Sequence, residues 1–361
     1  MRLDDRQVQA YLGSRFGREV HLLAMIPLGD PPSVDALKGY GYGVPIRVDF
    51  ELNGERRSAV IETLSPGPFG HEHMADRAQI VLASHQACNA LPRHARSLDV
   101  GGFSTGGALV SLGEVTELFA LHEFVAGREY YHDLERLRRT DRLTELDLAR
   151  ADALCDYLLE IHRMRGPDPG LYLRRIRELV GHGECIMGII DGYPVHHEDV
   201  PAGALEAIEH EAVRWRWRLK PRTHRLRQVH GDFHPWNVLF REGTDFTVLD
   251  RARGEWGDPA DDVASMTMNY LFFSLQRGGR LEGSLDVLFR RFWRRYLDTS
   301  GDRELLEVAA PFMAFRGLVM ANPVWYPSLE RTVRRKLLAL VREMLASPVF
   351  DPESVSVPAE A

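Results

Sequence analysis

The apolar residues of this chain keep two different periods, and the change between them constrains the fold more than any other feature. Ile46, Val48, Phe50 and Leu52 alternate with polar neighbours, Asn53-Gly54 follows, and Ala59 and Ile61 resume the alternation. A period of two on either side of an Asn-Gly pair predicts a β-hairpin, because both turn residues must tolerate positive φ. Later stretches such as LTELDLARADALCDYLLEIHRM, LYLRRIRELVG and ALEAIEHEAVRWRWRLK instead repeat at the period of a helix with one buried face. Around the hairpin, the spacing predicts a helix from Asp5 to Phe16, another in HMADRAQIVLASHQACNAL, and two short strands in ALVSLGEVTELFALHEFVAG. Beyond residue 125 the only β pattern is a second hairpin over 238–249. The expectation is an α+β chain: a small β-rich lobe over 1–124, a larger helical lobe over 125–348, and a disordered tail over 349–361.

Bulk properties narrow the class. A chain of 361 residues exceeds what one core usually fills. A net charge of −7 argues against nucleic acid as the main partner, which calls for a basic surface. The run RWRWRLKPR (214–222) belongs to a helical pattern and reads as a helix face, not an RNA-stacking platform. Cys88, Cys155 and Cys185 are too far apart to suggest a disulfide framework or a zinc site, and the pairs His71/His73 and His196/His197 lack a second ligand pair. The start is charged, and no apolar run approaches the ~18 residues of a membrane span. A cytoplasmic protein without a membrane or nucleic-acid partner is expected.

The chemistry gathers at the second hairpin. VHGDFHPWNVLF (229–240) leads through a polar turn to FTVLD, so pairing Phe240 with Phe246 brings Asn237 and Asp250 to the same open end. One amide and one carboxylate oxygen suit Mg²⁺, a hard cation that keeps most of its shell for water and phosphate. Asp232, on the preceding turn, is placed to accept or orient a hydroxyl proton. Asp and Asn in turns often only bond local backbone. Three such residues in this order, with no evident local need, favour the chemical reading.

HGDFHPWNVLF followed by VLDRARGEWGDPADDVA resembles the signature of the aminoglycoside phosphotransferase and choline kinase family, a branch of the protein-kinase-like fold. The resemblance implies a bilobal kinase-like architecture and an ATP- and Mg²⁺-dependent transfer of phosphate to a small-molecule hydroxyl, such as that of an amino sugar or amino alcohol. It implies Asp232 as the catalytic base and Asn237 with Asp250 as holders of Mg²⁺ and the ATP phosphates. It gives Asp262 a structural role, bonding the backbone of the turn. Asp258, Pro259 and Asp261 fit N-cap, N1 and N3 of the next helix. His230 and His234 read as packed supports, and Trp236 as a core or pocket-wall residue. The family's substrate region corresponds here to about 165–225 and 265–330, where Glu198 and Asp199 could meet a cationic acceptor.

In the first lobe, Gly39, Gly41 and Gly43 lie between a helix and a strand, where bare backbone N–H groups could approach phosphates. ELFALHEFVAG resembles the connector whose backbone, at Glu123 to Val125, meets the adenine edge. One part of the pattern is missing. The third strand of a kinase-like lobe normally carries a lysine for the α- and β-phosphates, and here the aligned position is Glu62. Arg47, opposite Val60 and diagonal to Glu62, and Lys38, beside the glycines, are the candidate replacements. The alternative is a catalytically inactive nucleotide- or ligand-binding module.

Overall fold

A computed structural model describes residues 3–28, 44–67, 70–90, 92–194, 198–251 and 253–356. The chain divides into two compact units, Met1–His122 and Glu123–Ala361. Lys38, Gly39, Gly41 and Gly43, the expected phosphate loop, lie outside the described residues.

The N-terminal unit opens with helix α1 (Asp5–Phe16), capped by the Asp4 carboxylate and closed by Gly17 at φ 63. Strands β1 (Val20–Pro27), β2 (Ile46–Leu52) and β3 (Glu55–Ile61) form one antiparallel sheet in that order. The Asn53-Gly54 turn, at φ 56 and 79, sets the β2–β3 register: Arg47 faces Val60, as the residue count requires. Alternation puts Val48, Phe50 and Leu52 on the face that packs against Val8 and Leu12 of α1. β1 has a register shift between Leu22 and Ala24 and no clean alternation, so its pattern does not announce a strand. Helix α2 (Met74–Ala90) and the strands β4 (Gly101–Phe103) and β5 (Leu109–Ser111) complete the unit. The second strand expected in ALVSLGEVTELFALHEFVAG does not form. Phe119, Leu121 and Phe124 are about nine-tenths exposed, and no strand among the described residues pairs with their backbone.

The C-terminal unit is helical around a few short strands. After β6 (Arg128–Glu129) come α3 (Tyr131–Thr140), α4 (Glu145–Ile161), α5 (Gly170–Gly181), α6 (Ile186–Asp191) and α7 (Ala204–Leu219). Strands β7 (Arg227–Gln228), β8 (Val238–Phe240), β9 (Phe246–Val248) and β10 (Trp256–Gly257) frame the motif, and α8 (Pro259–Gly278), α9 (Gly283–Ser300), α10 (Leu305–Ala321) and α11 (Arg331–Ala346) follow. α8 is buried on all sides from Pro259 to Leu275 and forms the axis of the core, with α9 and α10 packed against it. The basic aromatic run lies on and just beyond α7. Its Trp215 is a core residue donating to the Leu345 carbonyl, and Trp217 is exposed beneath Arg216 and Lys220.

The tail expected to be disordered from residue 349 is instead anchored through its first part. Phe350 is buried against Trp293, its N–H donates to the Leu306 carbonyl, and Glu353 accepts two bonds of 2.6 Å from Arg294. A large aromatic and a bidentate ion pair outweigh the polar composition around them. No helix among the described residues is long and apolar enough to cross a membrane.

Candidate active site

The HGD turn connects β7 to the second hairpin and is held by side chains from α5, α8 and α10. Gly231 sits at φ 85, a conformation open to glycine and costly for other residues. A Cβ there would also meet the Arg175 guanidinium at 3.2 Å and the Arg253 Cβ at 3.4 Å. Gly231→Ala is therefore expected to destabilise the unit by about 1–2 kcal/mol. All six tryptophans lie at or after residue 215, so denaturation followed by tryptophan fluorescence reports this unit.

Asp262 holds the turn from behind. Its carboxylate is fully buried and accepts 2.7 Å bonds from the N–H groups of both His230 and Gly231, and pairs with His162 Nε2 at 3.1 Å. Tyr296 in turn bonds His162 Nδ1 at 2.8 Å. Burial would raise the Asp262 carboxyl, but His162 and the donated N–H bonds outweigh it and hold it below its ordinary value. Asp258 caps α8 through a 3.0 Å bond from the Ala260 N–H, followed by Pro259 at N1. The same carboxylate is gripped by both arms of Arg225 at 2.8 and 2.9 Å and by the Tyr172 hydroxyl at 2.9 Å. α8 thus starts from a fixed point, and Asp262 follows from that.

Asp232 has a partner that the sequence did not reveal. Arg316 of α10 donates to its Oδ1 at 2.5 Å, to the Gly231 carbonyl at 3.2 Å and to Asp261 at 3.1 Å. The expectation that Asp232 has no structural tie is corrected: it anchors one side of a buried Arg316. Burial pushes the Asp232 carboxyl upward. His234, 3.5 Å away, and the Arg316 and Arg253 guanidiniums overcome this and hold it well below the usual carboxylate range. His230 is buried in the turn, where loss of solvent lowers its basicity. A charged residue in the otherwise apolar run APFMAFRGLVMA was the available signal for Arg316, since a lone charge on a buried helix needs a partner.

At the hairpin, Phe240 pairs with Phe246, and the Leu249 N–H reaches the Asn237 carbonyl at 2.8 Å. The Asn237 amide donates from Nδ2 to the Asp232 carbonyl at 3.0 Å, which leaves its Oδ1 as the oxygen able to face a cation. Asp250 follows at φ 56 with an exposed side chain. No group of three or more His, Cys, Asp or Glu suited to a metal occurs among the described residues. A magnesium ion carried on nucleotide phosphates does not need one, and one amide oxygen with one carboxylate fits it.

The remaining candidates are less committed. Arg47 bonds Asp49 at 2.9 Å on its own strand. Glu62 is exposed just beyond β3 and makes no ion pair among the described residues. The backbone groups of Glu123 and Val125 likewise take part in no hydrogen bond among the described residues. Asp199 is buried and surrounded by Arg331 at 2.7 Å, Arg335 at 3.3 Å and Arg334 at 3.9 Å, while Glu198 pairs with Arg331 at 2.7 Å. Neither acid is set out to greet a cationic acceptor.

Residues 62–305 match the family model described as APH, phosphotransferase enzyme family. Among solved structures, the chain is similar to the Plasmodium vivax ethanolamine kinase, with 13% identity over 86% of this chain and 80% of that one and a TM-score of 0.37. It is also similar to a choline/ethanolamine kinase family protein from Mesorhizobium loti, with 14% identity over 84% and 86% of the two chains and a TM-score of 0.38. An ADP-bound aminoglycoside phosphotransferase, APH(2'')-Ib, shares 13% identity over 95% and 99%, with a TM-score of 0.37. No curated protein matches. The fold is of the α+β, protein-kinase-like class, with a small sheet-containing N-terminal region and a larger helical C-terminal part.

Proposed function

Since this chain belongs to the phosphotransferase enzyme family, we propose that it moves the γ-phosphoryl group of ATP to a hydroxyl of a small molecule. The observation that carries this reading is the placement of Asp232: its carboxylate is held by Arg316 on a fixed turn, and its backbone carbonyl accepts the Asn237 amide at 3.0 Å. Asp232 accepts the acceptor's hydroxyl proton as the oxygen bonds to the γ-phosphorus. The bond from that phosphorus to the bridging oxygen breaks, and its electron pair leaves with ADP. Held by Arg316, Asp232 is a weak base whose main contribution is to orient the hydroxyl. Asn237 and Asp250 would hold Mg²⁺, which neutralises charge on the phosphates when bound. Lys38, Gly39, Gly41 and Gly43, with Arg47, are proposed to meet the phosphates, and Glu123 and Val125 the adenine edge. Three free cysteines accord with a reducing compartment, and the cytoplasm is the proposed location.

Calorimetry tests the metal pair. ATP binding should tighten strongly with magnesium in the parent and little in Asp250→Ala. Equal responses in the two proteins would remove the hairpin-end site.

A second reading, nucleotide binding without transfer, is favoured by Glu62, which has no ion-pair partner among the described residues, and by the engagement of Arg47 with Asp49. A carboxylate beside phosphates is repulsive, and the usual cation is absent. ATP turnover in the parent with any acceptor of a broad hydroxyl panel excludes this reading. Binding without turnover supports it.

A further inference from the structure

The charges around Asp232 do not balance. Arg175, Arg253 and Arg316 converge there on Asp232 and Asp261, three guanidiniums on two carboxylates. Arg316 joins both acids, and Arg175 meets Asp261 at 2.9 Å. Arg253 has only a 4.0 Å approach to Asp232 Oδ1, and its Nη1 is buried with no hydrogen-bond partner among the described residues. Its guanidinium lies over the Phe315 ring at 5.0 Å, which fixes it without satisfying its N–H groups. Nearby groups do not supply the missing charge. Glu178 is bonded to Arg174 at 2.6 Å and approaches Arg175 at 3.9 Å, so it answers those two guanidiniums and leaves four on three with Arg253 unmatched. Arg251 is spent on the carbonyls of Val229 and Glu255. Burial pushes the Cys185 thiol up to about 11, so it adds no negative charge at neutral pH. A buried donor without a partner and an uncompensated cation are both costly, and an anion relieves both.

We propose that the acceptor carries an anionic group, a carboxylate or phosphate, close to its reacting hydroxyl, and that Arg253 binds this group. This rests on the phosphotransferase reading, within which it replaces the amino alcohol or amino sugar by a hydroxy acid or a phosphorylated alcohol. The engagement of Glu198 and Asp199 by Arg331, Arg334 and Arg335 points the same way, since the acids a cationic acceptor would use are already neutralised. With Arg253 Nη2 4.0 Å from the carboxylate that orients the hydroxyl, a short acceptor reaches both, its two groups separated by about two or three bonds.

Arg253 can be changed without releasing its loop, because Arg175 holds the loop by the Arg253 carbonyl at 2.7 Å. Calorimetry on the full chain without nucleotide compares racemic glycerate, glycerol 3-phosphate, inorganic phosphate and ethanolamine against parent, Arg253→Met and Arg253→Lys. One of the two anionic alcohols is expected to bind the parent about tenfold tighter than ethanolamine, and the tighter one identifies the group. Arg253→Met should weaken that binding about tenfold, and Arg253→Lys should restore part of it. Tighter binding of ethanolamine, or equal binding of the anionic alcohols by parent and Arg253→Met, overturns the proposal. So does a loss confined to inorganic phosphate, which assigns Arg253 to the transferring phosphoryl group. If anion binding depends on Arg253 but no acceptor supports ATP turnover, the phosphotransferase reading fails and the anion site stands.

Discussion

Asp232→Asn is expected to fold, to bind nucleotide, and to lose about a thousandfold in the rate of phosphoryl transfer, within the usual range for a general base. The substitution keeps the shape of the side chain and removes its charge. Arg316 keeps Asp261 and the Gly231 carbonyl, so the unit should lose only about 1–3 kcal/mol. Single-turnover kinetics with saturating ATP isolates the effect on chemistry, and a rate near that of the parent would take Asp232 out of the mechanism. The pH dependence follows from the direction of the shift. A carboxyl held below its unfolded value contributes stability above about pH 4 and loses that contribution as pH falls through the folded value. The stability gap between parent and Asp232→Asn should therefore stay level from about pH 5 to 8 and close in acid. Asp232 should also leave no inflection in the rate profile across that range.

Asp262→Ala is expected to cost more stability than any other single change at the site, about 3–5 kcal/mol. The loss strands the buried N–H groups of His230 and Gly231 and the ring of His162, each left without its acceptor. Asp262→Asn keeps one acceptor oxygen and should cost about half as much. Urea denaturation followed by tryptophan fluorescence measures both. Transfer should fall in the Asn variant even where it remains folded, because the turn carrying Asp232 is no longer fixed. If Asp262→Ala matches the parent in denaturation midpoint, the turn is held by something else.

What could be read from the sequence was what a local rule governs. The Asn-Gly turn fixes the β2–β3 register by counting, and Asp258-Pro259 marks the start of α8, because caps and turns depend on neighbouring residues. The pairing of Phe240 with Phe246 was open to the same counting. β1 escaped because its bulge and mixed burial erase the alternation, and the strand expected near Phe119 failed because a pattern cannot guarantee a partner. The site divides in the same way. The order of Asp232, Asn237 and Asp250 was legible, whereas the grip of Arg316 on Asp232, 84 residues away, was not. Nor was the surplus of positive charge at Arg253, which exists only once α5, α10 and the loop after Asp250 come together.

The position of Arg316 also bears on the order in which the protein matures. The matched family span ends at residue 305, and the arginine that fixes Asp232 lies beyond it, on α10. α10 is packed by α11, and its first turn is tied down by Phe350. During synthesis from the N-terminus, the HGD turn and the hairpin emerge well before the segments that lock them. A nascent chain arrested after residue 305 holds every residue of the motif and still lacks a fixed Asp232. The candidate site is completed by an arginine that is synthesised well after its motif.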